Sequence, residues 1–251
     1  VGRYEPNVTK MFDFSAEKVF ASVEKSLRLL GVDYVDLIQV HDIEFAEDPD
    51  QIINETLPAL QKIVDQGKAR FIGITSYSLE MMKKTVEKSP VKLHTVLSYA
   101  RNTLVDKSLL EYLPFFQDAG VGVINASVTC LGLLSSNGPQ AWHPAGEAIQ
   151  AASDKAREMA KDRGIEIANL ALQSSCRTPG IVTSLLGCVT KDMLLSSIDV
   201  VFRLPTEQEK NLAEEIEKEC FASLSQRNWE GNETETHFRE LKAARESCKK
   251  D

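Results

Sequence analysis

Short apolar runs alternate along the chain with stretches whose apolar residues recur at helical spacing. Ser15 suits an N-cap, and Phe20, Val23, Leu27 and Leu30 follow at 3-4-3 spacing, a helical face that Gly31 stops. Residues 33–40 (DYVDLIQV) then read as a buried parallel strand. Asp48-Pro49-Asp50-Gln51 opens a second helix with an apolar stripe of Ile53, Leu57, Leu60 and Val64, closed by Gly67. Pro58 lies inside it and should kink or divide it.

The alternation continues. Strands are expected at 69–75, 93–99 and 121–126, and helices at 79–88 and 107–118. A long connection follows, then helical patterns at 147–163 and 167–177, a strand at 181–186 and a short helix near 192–200. Thr206 with Glu209 forms a capping box opening a helix to about residue 220, and a further helix is expected at 235–247 in a polar C-terminal extension, about 221–251.

Strands taking turns with helices mean βαβ units and a parallel sheet, read as one domain over 1–251. An open doubly wound sheet and a (β/α)8 barrel compete. No G-x-G-x-x-G occurs, which favours the TIM barrel. Five strands are convincing, and residues 1–4 could end a sixth. The expectation is therefore an incomplete α/β barrel, its first two to three β/α units missing.

Composition narrows the function classes. The 251 residues carry 29 Lys and Arg against 37 Asp and Glu, a net charge of −8, with 43% hydrophobic and 26% charged residues. That balance argues against a nucleic-acid partner, which needs a basic face. No apolar run approaches the roughly 20 residues of a membrane span, so no membrane partner is expected. Five cysteines at spacings that suit neither metal nor a disulfide framework point to reduced thiols and a cytoplasmic location.

Reactive groups in a parallel barrel stand at the carboxyl ends of strands. Those positions offer His41, Thr75-Ser76, Ser98, Ser127 and the loop Gly187-Cys188-Val189-Thr190, with no carboxylate pair or metal-ligand cluster, so no metal site is expected. His41 could orient a substrate oxygen or merely satisfy loop backbone groups. The 187–194 loop could hold phosphate on backbone N–H groups beside Lys191, or be an ordinary βα turn. Trp142, with His143, could belong to a substrate lid or anchor the long loop.

The segments YVDLIQVHD (34–42), ETLPALQKIVDQGKARFIGIT (55–75), VLSYARNTL (96–104), VGVINASVTCLGLLSSNGPQAWHPA (121–145) and LLGCVTKDML (185–194), in this order, resemble the aldo-keto reductase family, and within it the L-galactose dehydrogenase branch. The resemblance implies a (β/α)8 barrel that moves a hydride between NAD or NADP and a sugar or small carbonyl or alcohol substrate. It implies a tetrad of Asp, Tyr, Lys and His, of which His41 matches the last. The other three are expected before Val1, so an N-terminally truncated, inactive chain is one expectation and a non-catalytic nucleotide-binding protein of the same fold another. By resemblance Thr75 and Ser76 hold the nicotinamide carboxamide, with Ser76 in place of the usual Asn. Ser98 stands where many members have Gln. Ser127 matches a pyrophosphate contact, and Gly187, Val189, Thr190 and Lys191 match the adenosine-phosphate loop. NAD against NADP, and oligomeric state, stay open.

Overall fold

The computed structural model describes residues 1–248; residues 249–251 of the expected C-terminal extension lie outside the described residues. Element order is α1 (Ala16–Leu30), β1 (Val35–Val40), α2 (Pro49–Gln51), α3 (Leu57–Asp65), β2 (Ala69–Ser76), α4 (Leu79–Lys88), β3 (Thr95–Tyr99), α5 (Leu109–Asp118), β4 (Gly122–Ala126), α6 (Glu147–Asp162), α7 (Ile167–Ser175), β5 (Ile181–Leu185), α8 (Lys191–Phe202), α9 (Glu207–Ile216) and α10 (Asn232–Ser247). The strands are ordered β1-β2-β3-β4-β5 in a parallel sheet, the chain order that successive right-handed βαβ units produce.

Two compact units divide the chain. The first comprises 1–97, 115–122 and 231–251; the second comprises 98–114 and 123–230. In the first, β1 pairs in parallel with β2, Val35 opposite Ala69 and Val40 opposite Ile74. Val40, Ile72, Ile74, Leu57, Leu60, Ile63, Leu79 and Met82 are buried around this pair. Ser15 caps α1 by accepting the Lys18 amide, and Gly31 ends it in left-handed backbone at φ 69°. The buried face of α1 is Val19, Val23 and Leu27; the expected stripe is rotated, since Leu30 is 64% exposed beyond the last packed turn.

Pro58 acts as expected. Between α2 and α3 the chain makes a π-type turn over Ile52–Thr56, so that Pro58 falls in the first turn of α3, where its missing N–H costs nothing. The expected strand end at residues 1–4 is not a strand. Arg3 makes an isolated antiparallel bridge with Phe12, while the Val1 ammonium donates to Gln39 O and the His41 amide to Val1 O.

In the second unit β4 pairs in parallel with β5, with a register shift at Val123/Ile124. Its core gathers Leu133, Leu134, Ile149, Leu170, Leu212, Phe221 and Trp229. The capping box is formed at Thr206 and Glu209 as expected. After α9 a π-type turn over Glu217–Phe221 carries Cys220 and Phe221 into the core. No helix among the described residues is long and apolar enough to cross a membrane.

Candidate active site

At the carboxyl end of β1 the apolar strand gives way to His41 and Asp42. Asp42 adopts left-handed backbone, φ 54° and ψ 58°, which a short polar side chain tolerates better than most. The turn is held across to β2, where the Asp42 amide donates to Thr75 Oγ1 at 2.9 Å. Asp42 is 5% exposed; its Oδ2 accepts Arg3 Nη1 at 3.3 Å and lies 2.8 Å from His41 Nδ1. The imidazole stands half in solvent, 52% exposed. His41 and Thr75 thus meet through Asp42.

Two residues on, Glu44 turns back beneath the same loop. Its Oε1 accepts the Tyr77 amide at 2.7 Å. Oε2 is shielded from solvent and has no hydrogen-bond partner among the described residues. Burial first, and the negative charge of Asp42 second, push the Glu44 carboxyl up to about 7, against the lowering hydrogen bond from Tyr77. Ser76 accepts the Ser78 amide at 3.0 Å, so its hydroxyl and that of Thr75 are engaged within this loop and both residues are buried. Sequence reasoning passed over Glu44. The available signal was a second acid directly after a strand-terminal His-Asp.

In the second unit Ser98 is buried in β3, and its Oγ has no hydrogen-bond partner among the described residues. Beyond it, the Ala100 amide donates to Ala126 O, joining the carboxyl ends of β3 and β4. Asn125 on β4 is likewise buried; its Nδ2 donates to Asn102 O while Oδ1 is unpartnered. Ser127 follows in left-handed backbone at φ 56°, its carbonyl accepting the Cys130 amide.

The loop after β5 is open. Val189 is 89% exposed, and Thr190 caps α8 by accepting the Met193 amide at 3.2 Å. Gly187 and Lys191 are exposed beside it, so Gly187, Val189, Thr190 and Lys191 come together at the N-terminus of a twelve-residue helix, where free N–H groups and a cation favour an anion. Trp142 is 67% exposed and stacks on His143, which is buried with Nε2 donating to Cys130 O and Nδ1 accepting the Ala145 amide. His143 therefore anchors the loop, and Trp142 is the part left outside.

In the second unit some groups suit parts of a nicotinamide dinucleotide. The orphaned Ser98 hydroxyl offers a buried donor or acceptor to a carboxamide, and the head of α8 suits a phosphate. In the first unit Thr75 and Ser76 fit less well, because the Thr75 hydroxyl already accepts the Asp42 amide and that of Ser76 the Ser78 amide.

The model of the aldo/keto reductase family matches residues 4–217. L-galactose dehydrogenase of Arabidopsis thaliana is 41% identical over 204 residues, 81% of this chain and 62% of that protein. L-glyceraldehyde 3-phosphate reductase of Escherichia coli (strain K12) is 31% identical over 223 residues, 80% of this chain and 62% of that protein. Among solved structures, an aldo-keto reductase from Bacillus halodurans in its holo form superposes with TM-score 0.65 at 26% identity, over 86% of this chain and 70% of that one. The glycerol dehydrogenase of Gluconobacter oxydans gives 0.64 at 25% identity, over 90% and 71%. The chain thus spans 62% of the length of these two curated relatives. Enzymes of this family use NAD(P)H, and the five parallel strands in chain order are TIM-barrel-like. The chain belongs to the aldo/keto reductase family.

Proposed function

We propose that the protein to which this chain belongs is an NAD(P)-dependent oxidoreductase of the L-galactose dehydrogenase kind, acting between the nicotinamide and a sugar. The observation that carries this reading is His41, which matches the tetrad histidine in sequence and stands half in solvent at the end of β1 on a buried carboxylate. The nicotinamide, when bound, gives or takes the hydride. His41 orients the oxygen of the reacting carbon. When the cofactor is bound, Ser98 would hold the carboxamide, Ser127 the pyrophosphate, and Gly187, Val189, Thr190 and Lys191 the adenosine phosphate. Trp142 is a candidate substrate contact. The 41% identity to L-galactose dehydrogenase supports the substrate class.

The test is sugar-dependent reduction of NAD and of NADP by the whole protein, with L-galactose among a panel of aldoses and small alcohols. Reduction with L-galactose is expected, and its loss in His41→Ala with cofactor binding retained. Failure to oxidise any of them with either cofactor overturns the reading.

A further inference from the structure

Within the first unit, a cavity of about 190 Å³ lies between segment 8–14, the loop after β1 and α10. Its walls are aromatic. Phe12 stacks on Phe45 at 4.3 Å between ring centroids and lies nearly parallel to Phe14 at 6.1 Å. His237 of α10 meets Phe12 and Phe45 edge-on. It is only 7% exposed, lines the cavity and has no hydrogen-bond partner among the described residues. Burial above all lowers the ring below its ordinary value, against Glu240 and Glu47 and together with Arg3. Near pH 7 it is therefore neutral, with one N–H to donate and one lone pair to offer. A buried polar group without a partner is an exception in a folded protein, and the space this one borders is the cavity.

Two more acceptors belong to residues that line the same space. Asp13 gives Oδ1 to the Ser15 amide and hydroxyl, and its Oδ2 carries no hydrogen bond among the described residues. Gln51 spends Nε2 on Glu55 and keeps Oε1. Glu47 and Arg245, also in the lining, neutralise one another through two bonds of 2.7 Å. A carboxylate or phosphate only accepts and would face Asp13; an ammonium only donates and would leave the imidazole N–H orphaned. A hydroxyl does both, and the carbon skeleton between hydroxyls can lie on phenyl rings. The volume equals about six waters, the bulk of a polyol of about five carbons. We propose that this cavity binds a small neutral polyhydroxyl compound, of polyol or monosaccharide type, with its hydroxyls on His237, Asp13 and Gln51 and its carbon face on the aromatic wall. His41 does not line the cavity, so the inference stands apart from the oxidoreductase reading.

The test is equilibrium dialysis of radiolabelled xylitol against the whole protein without nucleotide. One saturable site is expected with a Kd of about 1–10 mM, the worth of a few hydrogen bonds and one ring face. His237→Phe keeps a ring against Phe12 and Phe45 and removes both hydrogen-bonding nitrogens; it should weaken binding about tenfold. Thr9→Trp fills the cavity from an exposed position in its lining and should abolish binding, and it decides the matter if the phenylalanine variant fails to fold. His41→Ala should bind as the wild type does. No saturation below about 100 mM overturns the proposal. So does binding that both cavity variants leave unchanged, binding lost in His41→Ala, or tighter binding of butyrate or butylammonium than of xylitol. No hydride moves in this assay, so a protein that binds xylitol here and oxidises no sugar would strike the oxidoreductase reading alone.

Discussion

Arg203 grips Glu209 with both prongs of its guanidinium, Nη1 to Oε2 at 2.8 Å and Nη2 to Oε1 at 2.5 Å. The same carboxylate takes the Thr206 amide and hydroxyl, completing the capping box at the head of α9. The Arg203 hydrogen bonds first, helped by Thr206 and Gln173, hold the Glu209 carboxyl down at about 2 against its burial. A carboxyl lowered by folding adds stability above its unfolded value near 4.5, and that stability is lost as pH falls toward 2. Glu209→Gln should therefore destabilise the second unit by about 2 kcal/mol at pH 7 and much less near pH 2. Urea denaturation of both proteins at the two pH values checks it.

Gly73 in β2 is required by a close approach. A Cβ there would lie 2.9 Å from Thr95 O, where β3 begins, and closer still to the Thr95 hydroxyl. Backbone cannot retreat as a flexible side chain can. Gly73→Ala should cost about 1–3 kcal/mol although alanine is larger by one methyl. Gly146→Ala, whose Cβ would meet nothing, should cost well under 1 kcal/mol. Thermal melts of the two variants make the comparison, and equal losses would remove the packing argument.

The fold was legible where local chemistry and burial agree. Ser15, Gly31 and the Thr206–Glu209 box bound helices where the sequence predicts, because caps act over three residues. Period alone was less exact: Val19 rather than Phe20 leads the buried face of α1, since apolar spacing cannot tell which neighbouring row meets the sheet. Residues 1–4 could end a strand by sequence, yet only Val1 bonds the backbone at the end of β1, through Gln39 O and the His41 amide, while Arg3 turns to bridge Phe12. In the site, His41 was visible as a polar residue ending an apolar strand. Glu44 was not, because its buried setting arises from the turn at Asp42, which no spacing rule encodes.

β5 and the start of α8 present an unusual surface. Val182, Leu185, Val189, Leu195, Phe202 and Leu204 are each more than half exposed, at 72, 51, 89, 53, 83 and 77%. So many exposed large apolar side chains on β5, α8 and the residues around them exceed what a protein surface ordinarily carries. The 251-residue chain should bind a hydrophobic dye such as ANS and precipitate at modest concentration. Val182→Thr with Phe202→Ser should reduce the dye signal at least twofold with the far-ultraviolet circular dichroism unchanged. An unaltered signal would place the dye elsewhere.

The C-terminal helix offers a contrast between a surface ion pair and an apolar contact. Arg245 meets Glu47 with two bonds of 2.7 Å, but both side chains are 55% exposed. Such pairs contribute about 1 kcal/mol at most. Leu241 is 6% exposed one turn earlier, and His237 sits edge-on to Phe12 and Phe45 at 5.1 and 5.3 Å. Leu241→Ala should thus loosen α10 by about 2–4 kcal/mol and Arg245→Ala far less. Amide exchange along α10 reads both, and a larger effect from Arg245 would reverse the ranking.

Glu44 makes the loop that carries His41 sensitive to pH. Its carboxyl is raised to about 7 by burial and by Asp42, so across pH 4.5 to 7 the folded chain holds a proton that the unfolded chain has lost. Stability from this group is then complete below about 4.5 and is lost as pH rises through 7, the reverse of Glu209. Glu44→Gln is neutral throughout and still accepts the Tyr77 amide through its carbonyl oxygen. It should be more stable than the wild type at pH 8 by about 1–3 kcal/mol and nearly equal to it at pH 4.5. Asp42→Asn removes the neighbouring negative charge, so Glu44 should then ionise at lower pH and the wild-type slope should shrink. Melting temperatures of the three proteins between pH 4.5 and 8 decide the matter, and parallel pH profiles would mean that Glu44 is ionised in the folded chain.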